Sequence, residues 1–302
     1  MDRRTFFEKS IGASLAAGAY VLTGGYRDLL AAPPAYDLVA VKGGLPDVMF
    51  DKGIESLGGM SAFVKKGQKV VLKPNIGWDV APERAGNTNP KLVARIIEHC
   101  LNAGAKEVYV LDHTCDQWQR CYSTSGIESA VKGAGGKLAP AHSESYYHDV
   151  DIPKGVALKE AKEHELILGA DVFVNVPVLK NHGGTTLTIG MKNLMGNVWD
   201  RRYWHATDLH QCIADFATFR KPTLNIVDAY LVMKTNGPRG VSADDVIEMK
   251  SQLISTDIVA VDAAGAKLFG MQPEDIPHIS MAATMKVGRM DLQGLNIRRI
   301  SM

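Results

Sequence analysis

The sequence predicts an α/β fold with a mostly parallel central sheet and helices on both faces. Three observations carry that expectation. Short β-branched runs alternate with longer segments of helical periodicity, the pattern of βαβ units. Several of those runs are apolar throughout, as strands buried on both faces are. The 302 residues, 46% hydrophobic with 29 glycines and 7% aromatics, supply a large core and many tight turns.

Asp37 to Lys42 (DLVAVK) reads as a first strand, stopped by Gly43-Gly44. Pro46 suits the first turn of a helix, which extends to Leu57 and ends at Gly58-Gly59. Val70 to Lys73 (VVLK) is a second strand, cut short by Pro74. Asn89-Pro90 places a cap and a proline in the order that starts a helix. Leu92, Val93, Ile96, Ile97, Cys100 and Leu101 follow at helical spacing, and Gly104 closes it. Glu107 to Leu111 (EVYVL) then forms a strand that delivers Asp112, His113 and Thr114.

Ser125 to Val131 reads as a helix and Lys137 to Ala139 as a short strand. Residues 142–165 are polar and are expected to form surface structure. Ala170 to Val178 is a buried strand that releases Lys180, Asn181 and His182 into a Gly-Gly turn. Asp208 to Phe219 is helical, with Leu209, Cys212, Ile213, Phe216 and Phe219 on one face. Thr223 to Val227 is a strand ending at Asp228. Asn236 to Gly240 is a loop, Lys250 to Ser255 a strand, and Asp257 caps a small-residue helix through Phe269. No element is assigned beyond Pro277.

The charge balance, 34 Lys and Arg against 33 Asp and Glu, gives +1 and points neither to nucleic acid nor to an anionic membrane surface. The four cysteines form no CxxC pair, so a zinc ribbon or ferredoxin-type cluster has no local support. Pairing of Cys115 with Cys121 stays open. GxGxxG, GxxxxGK[ST], HExxH and GxSxG are all absent, which counts against a standard dinucleotide site, a P-loop NTPase, a zincin and an α/β-hydrolase.

The N-terminus resembles a twin-arginine (Tat) export signal: Arg3-Arg4, then Thr5, Phe6, Phe7 and Lys9, then a Gly/Ala-rich run too short for a convincing membrane span. Asp2 and Glu8 depart from the consensus, and Phe7 replaces its usual Leu. The expectation is a signal over residues 1–35 and a single α/β domain over 36–302. Cleavage after Ala35 and an uncleaved anchor both remain open. The resemblance implies the Tat translocase as a partner, a periplasmic or extracytoplasmic location and, after processing, no stable membrane span. It also implies folding before export, often around a preloaded cofactor.

Four predicted strands end in polar groups: Lys73 then Asn75, Asp112-His113, Lys180-Asn181-His182, and Asp228. Carboxyl ends of parallel strands lie along one sheet edge, where ligands bind in open α/β sheets. Lys73, Lys180 and Lys192 suit a carboxylate or phosphate. Asp112, His113, His182 and Asp228 are candidates for a divalent metal site or for proton exchange. The 236–240 loop, which carries Arg239, is either a Gly-hinged lid over the pocket with an anion clamp or an ordinary surface turn. The aromatic and basic run from Trp199 to His205 either shapes the mouth or caps the core.

Two function classes fit. The first is an enzyme acting on a small anion, with Asp112, His182 and Lys180 catalytic and Lys73, Asn75, Asn181, Lys192, Asn193, Asp228 and Arg239 binding; a divalent metal or a preloaded redox cofactor would serve it. The alternative is a non-catalytic binding or carrier protein for a metal, cofactor or small anion. VVLKPN, the TNP…GAKEVYVLD unit, VPVLKNH and GMKNLMGNV resemble the domain-of-unknown-function family 362 (DUF362) across roughly residues 37–270. Some members of that family carry a ferredoxin module with CxxCxxCxxxCP runs; this chain has no such self-contained Fe-S motif. The resemblance implies the fold and the pocket, not a reaction.

Overall fold

The computed structural model describes residues 36–302; the export-signal expectation falls on residues 1–35 and lies outside them. The first half of the chain runs β1 (Leu38–Lys42), α1 (Pro46–Ser56), β2 (Lys69–Pro74), α2 (Pro90–Asn102), β3 (Glu107–Val110), α3 (Trp118–Thr124), α4 (Ile127–Gly133) and β4 (Lys137–Leu138). A hairpin of β5 (Tyr147–Asp151) and β6 (Glu160–His164) follows, then α5 (Glu165–Leu168) and β7 (Val172–Val176). After Pro177 come β8 (Val178–His182), β9 (Thr186–Thr188), α6 (Gly190–Asn193), α7 (Arg201–Ala206) and α8 (Leu209–Phe219). The chain ends with β10 (Leu224–Met233), β11 (Val246–Ser255), α9 (Ile258–Phe269), α10 (Pro277–Thr284) and β12 (Ile297–Ser301).

The main sheet has the order β12-β1-β11-β10-β7-β2-β3-β4, with β8 and β9 attached beside β10. The run β10-β7-β2-β3-β4 is parallel, and β11 is antiparallel to both β10 and β1. This is the mostly parallel sheet that the buried β-branched strands predict. Helices cover both faces. Residues of α1, α2, α3 and α4 pack on Val70, Leu72, Val172 and Val174. Residues of α8, α9 and α10 pack with Val71 and Phe173 on the other side. Alternate residues of β2 and β7 thus serve opposite cores, which is why both strands read as unbroken apolar runs.

Local chemistry sets several boundaries. Asn89 caps α2 by accepting from the Lys91 amide at 3.0 Å, and Pro90 fills the first helical position, where no amide bond is lost. Asp257 caps α9, accepting from Val259 and Ala260 at 2.9 and 3.0 Å.

Three expectations need correction, and the unassigned tail acquires two elements. Strand β10 does not end at Asp228; Ala229 to Met233 continue it because their pairing with β11 and burial extend that far. Residues 178–188 are a hairpin rather than a turn alone, with Lys180 opposite Thr188. The polar 142–165 stretch contains the β5-β6 hairpin, whose Ile152 and Leu158 are core residues. The tail forms α10 and β12, the latter parallel to β1 at the sheet edge. Among the described residues, no helix is long and apolar enough to cross a membrane.

Candidate functional site

A polar row crosses the middle of the sheet. Register places Lys73 beside Asn175, Asn175 beside Asn225, and Asn225 beside Ser255. Lys73, Asn175 and Asn225 each interrupt a strand that is otherwise nearly all apolar, Ser255 ends β11, and all four are buried. Lys73 and Asn175 bond outward to the 190–197 segment lying over the sheet, while Asn225 Nδ2 donates to the Ser255 carbonyl. Asn175 Nδ2 donates to the Gly190 carbonyl at 3.1 Å and to Asn225 Oδ1 at 3.0 Å. From α9, the Asp262 carboxylate accepts from the Gly190 and Met191 amides at 2.6 and 3.0 Å. Burial pushes its carboxyl up to about 7, partly offset by those two amides.

This platform presents Asn193 as a hub. Its Oδ1 accepts from Lys73 Nζ at 2.8 Å and from Asn75 Nδ2 at 3.2 Å. Its Nδ2 donates to the Lys73 carbonyl at 3.2 Å and to Asn175 Oδ1 at 2.9 Å. Lys73 Nζ also donates to the Asn193 carbonyl at 2.6 Å and pairs with Asp112 Oδ1 at 2.9 Å. The other Asp112 oxygen accepts from the Ile76 amide at 2.6 Å. Lys73 is thus held by two hydrogen bonds to Asn193 and an ion pair to Asp112, in a place where its side chain is 1% exposed. Burial pulls the Lys73 ammonium below its ordinary range and Asp112 opposes that shift. Gly196 completes the packing: a Cβ there would lie 1.8 Å from Asp112 Oδ1 and 2.5 Å from Lys73 Nζ.

The facing side is less occupied. Lys180 Nζ donates to Asn75 Oδ1 at 3.0 Å and to the Gly86 carbonyl at 2.5 Å, leaving one proton without a partner. Burial lowers its ammonium to about 7. Lys192, partly buried, makes no hydrogen bond or ion pair among the described residues, and burial lowers it to about 8. These side chains line a small cavity of about 50 Å³, shared with Asn75, Asp112, His113, Cys115, His182, Thr188 and Arg201. His113, Cys115 and Arg201 also line an adjoining open groove of about 930 Å³ that reaches Trp199 and Tyr203. His113 Nδ1 donates to the Val198 carbonyl at 2.9 Å, and its ring stacks on Trp199. That bond fixes the tautomer and leaves Nε2 with a free lone pair.

Of the residues singled out at strand ends, Lys73, Asn75, Asp112, His113, Lys180, His182, Lys192 and Asn193 come together at this cavity. Three others do not line it. Asp228, inside β10, accepts from the Asn89 and Tyr230 amides at 2.7 and 3.1 Å and so braces the start of α2; burial raises its carboxyl to about 6. Asn181 Oδ1 accepts from the Gly237 amide at 3.0 Å and anchors the 236–240 loop. Arg239 points to Asp116 Oδ2 at 3.5 Å, so the loop is tied across the mouth by an exposed ion pair while Pro238 lines the cavity.

His182 is held in one state. Its Nδ1 accepts from the Gly184 and Thr185 amides at 2.9 and 3.3 Å, and burial with Lys192 nearby lowers it to about 3. With Nδ1 used as acceptor, the neutral ring carries its proton on Nε2, which suits a donor and not a base or metal ligand. Asp112, His113, His182 and Asp228 are not assembled into one ligand set; among the described residues no group of three or more His, Cys, Asp or Glu is placed to hold a metal ion. All four cysteines are free thiols, Cys115 exposed and Cys121 buried.

Strand-end reasoning misses Cys115, Thr188 and Arg201. Arg201 donates from Nη1 to the His113 carbonyl and from Nη2 to the Thr114 carbonyl, both at 2.8 Å, clamping the loop after β3. Its basic run was visible in the sequence, but its target was not. Asn175 and Asn225 carried the available signal for the polar row, a lone Asn inside an apolar strand.

Fold and cavity together describe an α/β protein with a cationic site at the carboxyl edge of its parallel strands. The model of a family described as a domain of unknown function (DUF362) matches residues 70–267, and the chain belongs to that family. A thylakoid-associated protein of Synechocystis sp. is 29% identical over 244 residues, covering 78% of this chain and 73% of that relative. The lactate racemase apoprotein of Thermoanaerobacterium thermosaccharolyticum superposes with a TM-score of 0.40 at 10% identity, over 82% of this chain and 56% of its own.

Proposed function

We propose that the cavity binds a small anionic molecule through a carboxylate or phosphate group, received by Lys180 and Lys192, with Lys180 as its proton-exchanging residue. One observation carries the reading. Among the described residues Lys192 has no hydrogen-bond or ion-pair partner, in a cavity whose one lining carboxylate, Asp112, is already paired with Lys73. Arg201 adds a further positive charge and bonds only to carbonyls and a sulfur. Four cationic side chains thus face one carboxylate. Desolvated positive charge of this kind is costly unless an anion arrives.

The chemistry follows from the same balance. An ammonium near 7 is divided between charged and neutral forms at neutral pH, the condition under which a general acid or base works best. Asn75 and the Gly86 carbonyl hold the amine in place, so its remaining position is free for a ligand proton.

The test is saturable stabilisation by sulfate or malonate, read as a rise in Tm against chloride at matched ionic strength. Wild-type protein is expected to be stabilised, and a folded Lys180→Met/Lys192→Met variant is expected not to be. Equal stabilisation of both proteins refutes the assignment, as does the absence of any effect on wild type.

A further inference from the structure

We propose that Cys115 is a nucleophile of this cavity, its Sγ adding to the carbonyl carbon of a small aldehyde or ketone that carries a carboxylate or phosphate. The proposal rests on the anion-site reading and adds the electrophile to it.

Cys115 is exposed, whereas Cys100, Cys121 and Cys212 are buried. It lines both the lysine cavity and the open groove, so it stands where the two meet. A molecule entering from the groove passes the sulfur on its way to the lysines. The thiol is also held in place. The Cys115 amide donates to the Gly77 carbonyl at 2.8 Å. Arg201 grips the two preceding carbonyls, and its Nη1 lies 3.8 Å from Sγ. Lys180 and Lys192 line the same small cavity as the sulfur.

A second feature of the cavity points independently to a ligand oxygen. Thr188 is 3% exposed, lines the same cavity, and its hydroxyl has no hydrogen-bond partner among the described residues. Buried hydroxyls nearly always have one. An oxygen of a bound molecule would satisfy it.

The step balances without a co-reactant. The Sγ–C bond forms as the carbonyl π pair moves onto oxygen, and the thiol proton ends on that oxygen. The product is a hemithioacetal, or the ketone equivalent, with no leaving group and no change of oxidation state overall. Lys180 and Lys192 face the carboxylate or phosphate and the negative charge that builds on the carbonyl oxygen, where fixed cations act most strongly.

Two measurements on the full-length wild-type protein test this, with adducts located by peptide mass spectrometry. The first compares alkylation of Cys115 by iodoacetate and iodoacetamide at one pH, so that thiol ionisation cancels in the ratio. Steering by the cations should favour the anionic reagent several-fold, on the order of ten-fold at low salt, and the preference should fall as KCl is added. The second asks which small molecules protect Cys115 from iodoacetamide. Glyoxylate, with both carbonyl and carboxylate, should protect more strongly than acetate, which lacks the aldehyde, or acetaldehyde, which lacks the charge. A ratio at or below one, or glyoxylate protecting no better than acetate, overturns the proposal. Sulfate stabilisation of the same protein separates the two readings. If sulfate stabilises but Cys115 shows no selectivity, the thiol assignment alone falls. If neither effect is seen, both fall.

Discussion

The two sides of the cavity use the same residue type to opposite ends. Lys73 is paired with Asp112, donates twice to Asn193 and is sealed under Gly196. Across from it, Lys180 keeps one proton free and Lys192 keeps all of them. The first side behaves as scaffold: its cation is neutralised before any ligand arrives. The second is electrostatically incomplete. Partner count, rather than the presence of a lysine at a strand end, separates a group that holds the fold from one that waits for a ligand.

Breaking the scaffold side should have the largest effect. Asp112→Asn leaves the Lys73 ammonium buried without its counter-charge, which typically costs about 3–5 kcal/mol. Urea unfolding of that variant is expected to show a loss of this order, or failure to accumulate folded protein. Lys192→Met removes a desolvated cation that has no partner, so the same assay is expected to show a stability change of about 1 kcal/mol or less, with a gain as readily as a loss. If Lys192→Met proves as destabilising as Asp112→Asn, the contrast between the two sides is wrong.

The smallest effect is expected at the mouth. Arg239 and Asp116 form an exposed pair at 3.5 Å, and such pairs contribute about 0–1 kcal/mol. Arg239→Ala should leave unfolding nearly unchanged. The 236–240 loop is instead held from below, by Asn181 Oδ1 on the Gly237 amide and by the Asp245 carboxylate, which accepts from Thr235, Asn236, Val241 and Ser242.

Much of this was legible in the sequence, for identifiable reasons. Buried parallel strands write themselves as unbroken β-branched runs, so β2, β3 and β7 could be placed, and with them Lys73, Asp112 and the segment leading to Lys180. Asp228 was misplaced because a polar residue in a strand was taken for its end; only the pairing of Ala229 to Met233 with β11 reveals that the strand continues. The Lys73-Asn175-Asn225-Ser255 row depends on register between strands distant in sequence, which periodicity does not encode. Cys115, Thr188 and Arg201 reach the cavity from a loop, a hairpin strand and a short helix, with no shared spacing to link them. The sequence also could not distinguish the saturated lysine from the two open ones, since partner number is a property of the folded site.

The most direct test of the central claim is the proton balance of anion binding. Sulfate does not titrate near neutrality, so any protons exchanged on binding belong to the protein. Lys180 and Lys192, lowered by burial to about 7 and about 8, are largely or half neutral at pH 8 and regain protons when an anion restores their charge. Titration calorimetry of wild-type protein with sulfate at pH 8, in buffers of differing ionisation enthalpy, should therefore report uptake of on the order of one proton per sulfate. Affinity should fall as pH rises from 7 to 9. Binding without proton uptake, or affinity that strengthens over that range, would contradict the account.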